Sequence, residues 1–171
     1  YLNTVHVAPI NANGTLGAWT ATTAFLSARS SHASVAYNGF LYVLGGTDAG
    51  FPYSAVQVAP INADGTLGAW TATTSLPTRR YGHTSVAYGG SLYVLGGYSG
   101  SATLAEVQVA PINANGTLGA WTATTSLLTG RYSHTTAAYA GFLYVLGGYS
   151  GSATLGDVQV APISANGTLG A

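Results

Sequence analysis

A 51-residue unit written three times in tandem constrains this chain more than anything else in it. Val5, Val56, Val107 and Val158 open near-copies of one segment: VHVAPINANGTLGAW, VQVAPINADGTLGAW, VQVAPINANGTLGAW and VQVAPISANGTLGA. Each start lies 51 residues after the last, and Trp19, Trp70 and Trp121 keep the same step. So do His32, His83 and His134. Residues 56–106 and 107–157 differ at ten of their 51 positions. Repeats of this length fold as stacked supersecondary units, in a solenoid, propeller or array, because one copy cannot bury its own apolar face.

Each period reads as four short strands. In the middle copy the first is His83–Tyr88, small and β-branched, as suits a crowded inner position. Gly89-Gly90 then makes a tight turn, since glycine takes positive φ without steric cost. The second strand, Ser91–Leu95, is apolar on consecutive positions, so both of its faces are expected to be covered. Gly96-Gly97 ends it with at least one glycine at positive φ. The third strand, Glu106–Ile112, alternates and then meets Pro111, and the fourth, Trp121–Thr125, is threonine-rich around one large ring. Both features suit positions near a sheet edge. No window shows a 3.6-residue apolar period, so helix has little support.

The run Arg80-Tyr81-Gly82-His83, then Leu92-Tyr93-Val94-Leu95-Gly96-Gly97, then Val-Gln-Val and a tryptophan, closely resembles the kelch repeat over essentially the whole chain. One departure is the connection from third to fourth strand. Many kelch blades place a short acidic turn there, and this chain has the longer APINANGTLGAW. The resemblance implies an all-β fold of kelch-type β-propeller blades, each of four antiparallel strands, with about three blades in this chain. Residues 1–28 are then the third and fourth strands of a blade, 29–79 and 80–130 are repeats, and 131–171 is an incomplete repeat. Each tryptophan is expected to pack between its own blade and a neighbour.

Composition narrows the function. Only 5% of residues are charged and the net charge is zero, so there is no basic stripe for nucleic acid. There is equally no polybasic handle for a membrane surface, and no apolar run long enough to span one. All four cations are arginines: Arg29, Arg79, Arg80 and Arg131. A lysine-free surface rich in Thr, Ser, Gly, Ala and Tyr points to an extracellular or cell-surface location. The chain opens on Tyr1 and has no methionine, as expected of a processed or excised piece of something longer. Cysteine is absent, which excludes disulfides, thiolate metal sites and the tyrosine–cysteine copper cofactor of some kelch-like propellers.

Three sets of residues are candidates for a role. In kelch adaptor proteins the arginine at this point of the blade faces the central opening. The resemblance therefore implies a ligand-binding mouth of Arg29, Arg80 and Arg131 with His32, His83 and His134. A structural role, with each side chain bonded to loop carbonyls, is the competing expectation. The histidines are too widely spaced around a channel to converge on one ion, so no metal and no cofactor are expected. Asn13, Asn115 and Asn166 are formal glycosylation acceptors, though Asn-Gly is also a favoured tight turn and Asp64-Gly65 fills the same place. Tyr81, Tyr98, Tyr132 and Tyr149 lie near the loops, placed either to stack on sugars or to pack between blades.

Catalytic readings fail on residue grounds. NADGTLGAW at Asn62–Trp70 lacks the spacer that an aspartate box needs between Asp64 and Gly65. No carboxylate pair suits acid and base roles, and no glycine-flanked serine elbow occurs. The expected function is a non-catalytic extracellular scaffold that associates with further copies, with a protein or glycan as a further ligand. The alternative is a fragment of a carbohydrate-active or carbohydrate-binding propeller whose active residues lie elsewhere. The chain holds three repeats plus eighteen residues, beginning on a third strand (Leu2–Ile10), so an isolated copy would leave two blade faces open. Two chains closing a six-bladed ring, or an end-to-end polymer, are the expected assemblies.

Overall fold

The structure, a computed structural model, describes residues 1–170. Its strands are β1 (Val5–Val7), β2 (Thr20–Thr22), β3 (Ala33–Tyr37), β4 (Phe40–Leu44), β5 (Thr47–Asp48), β6 (Phe51–Pro52), β7 (Val56–Pro60) and β8 (Thr71–Thr73). They continue as β9 (Thr84–Tyr88), β10 (Ser91–Leu95), β11 (Val107–Pro111), β12 (Thr122–Thr124), β13 (Thr135–Tyr139), β14 (Phe142–Leu146) and β15 (Val158–Pro162). There is no helix among the described residues, and so none long and apolar enough to cross a membrane.

The strands form antiparallel blades in chain order. β3-β4-β7-β8 is the first complete blade and β9-β10-β11-β12 the second. β13-β14-β15 makes a three-stranded third blade, and β1-β2 is a two-stranded sheet ahead of the first. The sequence reading of four strands per repeat holds. One element was not foreseen: the loop after Gly46 folds into a small β5-β6 hairpin, with Thr47 opposite Pro52. The inner strands β3, β9 and β13 lie side by side, which sets the blades around a common axis.

Hairpin register follows from the turns. Tyr37 pairs with Phe40 and Tyr88 with Ser91, leaving two-residue loops. Asn38-Gly39, Gly89-Gly90 and Ala140-Gly141 all have both residues at positive φ, the type I′ geometry whose twist matches the strands. Pro60, Pro111 and their equivalents end the third strand, next to the hairpin tip where a missing N–H costs little.

The core lies between blades. Strand β10 is buried on both faces, as its unbroken apolar run requires. Leu92 and Val94 face back to Tyr42, Leu44, Val56 and Val58 of the first blade. Tyr93 and Leu95 face forward to Leu143 and Val145 of the third. Each such side chain, fully buried, contributes roughly 1.5–3 kcal/mol, so the blades hold one another rather than themselves.

Candidate functional site

The residues singled out in the sequence gather where the second strand of one blade meets the start of the next. Gly45-Gly46, Gly96-Gly97 and Gly147-Gly148 all adopt positive φ, from 55° to 102°. Space matters as much as conformation. A Cβ on Gly45 would fall 2.6 Å from Arg80 O and 2.7 Å from the His83 ring, and one on Gly46 would fall 2.9 Å from His32 Cβ. The pair is therefore clamped between the histidine of its own blade and that of the next. The second glycine N–H donates across the junction, from Gly46 to Arg80 O (2.9 Å) and from Gly97 to Arg131 O (2.8 Å).

The three arginines do not line an open mouth. Arg29 is 3% exposed, and Arg80 and Arg131 are fully buried. Each guanidinium is taken up by its own blade: Nη1 donates to Gly45 O, Gly96 O or Gly147 O at 2.8–2.9 Å. Arg80 is also paired with Glu106, and Arg131 binds Asp157 in a two-pronged pair at 2.8 Å. Arg29 has Ala55 in that place, and its charge instead lies 4.9 Å from the Tyr53 ring centroid and 5.8 Å from that of Phe25. The sequence carried a signal for these partners, since each acid follows its arginine by 26 residues. Burial lowers the pKa of Arg80 against the opposing pull of Glu106.

The histidines are equally structural. Burial, then the charge of Arg80, pushes His83 down to about 3, and His134 falls to about 4 by burial and the Arg131 charge. His32, half-buried, is lowered for the same reasons. His134 Nε2 shares a hydrogen bond with Thr84 Oγ1 at 2.8 Å, and that hydroxyl also meets Thr136. One repeat earlier the threonine becomes Ala33. Both ring nitrogens of His83 and the hydroxyl of Ser85 are then buried without a partner. Among the described residues no group of three or more His, Cys, Asp or Glu could hold a metal.

What remains open at this face is aromatic. Tyr81, Tyr98, Tyr132 and Tyr149 form one continuous row across the second and third blades, with successive ring centroids 5.5–5.9 Å apart. All four are half-buried. The first blade has Ser30 and Thr47 in the paired positions, so the row stops there.

Further junction contacts lie away from this face. Thr73 Oγ1 accepts from Leu118 N, Thr74 Oγ1 donates to Leu118 O, and the Trp121 indole donates to Thr74 O at 3.0 Å. Trp70 does the same to Thr23 O and is 6% exposed. Trp19 departs from expectation: it is 64% exposed. The Tyr42 and Tyr93 hydroxyls donate to Gly116 O and Gly167 O of the following hairpin tips, bonds that residue patterns did not reveal. At those tips Asn13, Asn115 and Asn166 are exposed, each accepting from the threonine two residues on, and Asp64 does the same.

This geometry has counterparts. A family model described as the KLHDC2/KLHL20/DRC7 Kelch-repeats domain matches residues 1–166. The chain belongs to the kelch-repeat family. Beta-scruin of Limulus polyphemus is 37% identical over 79 residues, 46% of this kelch chain and 8% of the relative. Alpha-scruin of the same organism is 35% identical over 86 residues, 50% and 9%. The chain thus spans less than a tenth of the length of these curated relatives. The solved structure of YjhT aligns with a TM-score of 0.72 at 14% identity, covering 89% of this chain and 48% of that one, and shares the fold. The kelch diglycine and its arginine are, in this chain, packing elements of the blade junction.

Proposed function

We propose that this kelch chain is a non-catalytic structural and binding scaffold at a cell surface or outside the cell, which associates with further copies of itself. The observation that carries the reading is that the blades bury their apolar faces on one another through one contact set repeated from junction to junction, which a further copy of the repeat can extend. A non-catalytic role is supported by the fate of the ionisable groups: Glu106 and Asp157 neutralise arginines, and His83 and His134 are held neutral inside. The lysine-free composition supports the location, and the exposed Asn13, Asn115 and Asn166 would be glycosylation acceptors in such a compartment.

Light scattering on the purified chain tests the association. A species of two or more chains is expected, and a stable 17.2 kDa particle overturns it. A carbohydrate-binding role is favoured by one separate observation, the four-tyrosine row, because ring faces and phenol hydroxyls suit sugar rings. A glycan array with Tyr98→Ala and Tyr132→Ala as controls tests it: binding lost in both variants supports the reading, and no binding by the parent chain ends it.

A further inference from the structure

The tyrosine row is held in one arrangement by the backbone beneath it. Tyr81 and Tyr98 exchange backbone hydrogen bonds at 2.9 and 3.1 Å, and Tyr132 and Tyr149 do the same one repeat later. Beside the first ring of each pair, Gly82 N donates to Ser31 O and Ser133 N to Gly82 O, tying the backbone to the blade before. The loop after each second ring reads Tyr-Ser-Gly-Ser-Ala-Thr, at 98–103 and again at 149–154. Ser99 and Ser150 close it by accepting from the N–H groups of Ala102 and Ala153 at 3.0 Å. A Cβ at Gly100 would fall 3.1 Å from Pro52, and one at Gly151 2.9 Å from Thr103, so each loop rests on the loop of the preceding blade. Neither loop carries a charged residue, and Arg80 and Arg131 are buried and paired with acids. The middle rings, Tyr98 and Tyr132, meet across a junction with a blade of this chain on both sides.

We propose that this row binds a linear, uncharged polysaccharide along its length, in the extended form that β-1,4-linked chains adopt. The proposal rests on the carbohydrate reading above and names the class of ligand. Three observations select it. Successive ring centroids are 5.5–5.9 Å apart, close to the length that one unit adds to such a chain, so ligand and rings keep step. Interplanar angles of 68°, 56° and 80° set ring faces and ring edges alternately along the row. An extended β-1,4-linked chain turns each unit over relative to the last, and so offers its C–H faces and hydroxyl rims in the same alternation. The neutral loops select a neutral ligand, because an acidic sugar would lose hydration there and find no cation in exchange. Since the rings are in place before binding, each further unit adds contact at little ordering cost, and a single sugar, covering one ring, is held weakly.

Isothermal titration calorimetry with cello-, xylo- and manno-oligosaccharides of one to six units tests this. In the series that binds, affinity is expected to rise about tenfold from the disaccharide to the tetrasaccharide. Maltohexaose, which coils, and an oligogalacturonate, which is charged, should bind about tenfold more weakly than the preferred hexamer. Tyr98→Leu and Tyr132→Leu keep an apolar side chain in the row, and each is expected to lose about tenfold in affinity while retaining its far-UV circular dichroism. Tyr98→Phe, which keeps the ring, should fall between. The parent chain's near-UV tyrosine absorbance should shift on saturation, a readout that needs no variant, and an unchanged spectrum overturns contact with the rings. Affinity already complete with one unit, or a preference for the coiled or charged chain, overturns the proposal and leaves the carbohydrate reading standing. Unchanged affinity in both leucine variants also overturns it. Decaproline is titrated alongside, because aromatic-lined surfaces also take polyproline II peptides. Binding of decaproline in place of sugars, or of no oligosaccharide at all, overturns both.

Discussion

The mouths of the first and second blades carry the same buried arginine and solve its charge in different ways. In the second, Glu106 supplies a counter-charge, and leucines occupy positions 76 and 104. In the first, Ala55 replaces the acid, while Phe25 and Tyr53 replace those leucines and put ring faces against Arg29. The substitutions make sense only as a set. A repeat can lose its ion pair if it acquires aromatic faces, because a guanidinium is attracted to the negative face of a ring. The comparison also shows what happens without a set: Ala33 replaced a hydroxyl with nothing, and His83 and Ser85 were left without a bond.

The sharpest way to break the comparison is Glu106→Ala, which copies the first blade's alanine without its rings. It should cost about 3 kcal/mol in urea unfolding, the low end for a buried charge left alone, since Glu106 is itself 32% exposed. Acid should act next. His83 is neutral in the fold with a pKa of about 3, whereas an unfolded histidine titrates near 6.5. Between those values the unfolded chain binds the extra proton, so this stability is complete above pH ~6.5 and fades as the pH falls toward 3. By pH 5 the loss from His83 alone should be about 2 kcal/mol, and a pH series with His83→Gln should show a shallower slope.

Tyr53→Leu, giving the first blade the leucine of the second, should cost about 1–2 kcal/mol. Adding Ala55→Glu to it should recover most of that loss, and a double variant no better than the single would refute the pairing. The smallest effect expected is a gain. Ala33→Thr restores a hydroxyl within reach of His83 and Ser85 and should raise stability by about 1 kcal/mol, measured as a higher melting temperature.

Much of this was legible in residues. The unbroken apolar run Leu92–Leu95 announced a strand covered on both faces, and the glycine pairs announced its end. These are local signals, tied to period and backbone freedom. The roles of the arginines were left open because burial depends on where the next blade sits, 51 residues on. The Arg80–Glu106 spacing was visible, but nothing in a strand pattern says that two residues 26 apart will touch. The row of tyrosines was noted residue by residue, and its continuity appears only when two blades lie side by side. Trp19 differs from Trp70 by neighbourhood alone, which no reading of the residue itself could supply.

The bonds that tie one blade to the next have a consequence for how such a gene can change. Thr22 and Leu67, Thr73 and Leu118, and Thr124 and Leu169 make one bond three times over, each pair 45 residues apart. Tyr42 to Gly116 and Tyr93 to Gly167 do likewise at 74. A contact set that maps onto itself under a shift of one unit is indifferent to how many units there are. Unequal recombination between near-identical copies, which would wreck an ordinary domain, here removes or inserts a whole blade and presents the new neighbours with the surfaces they already fit.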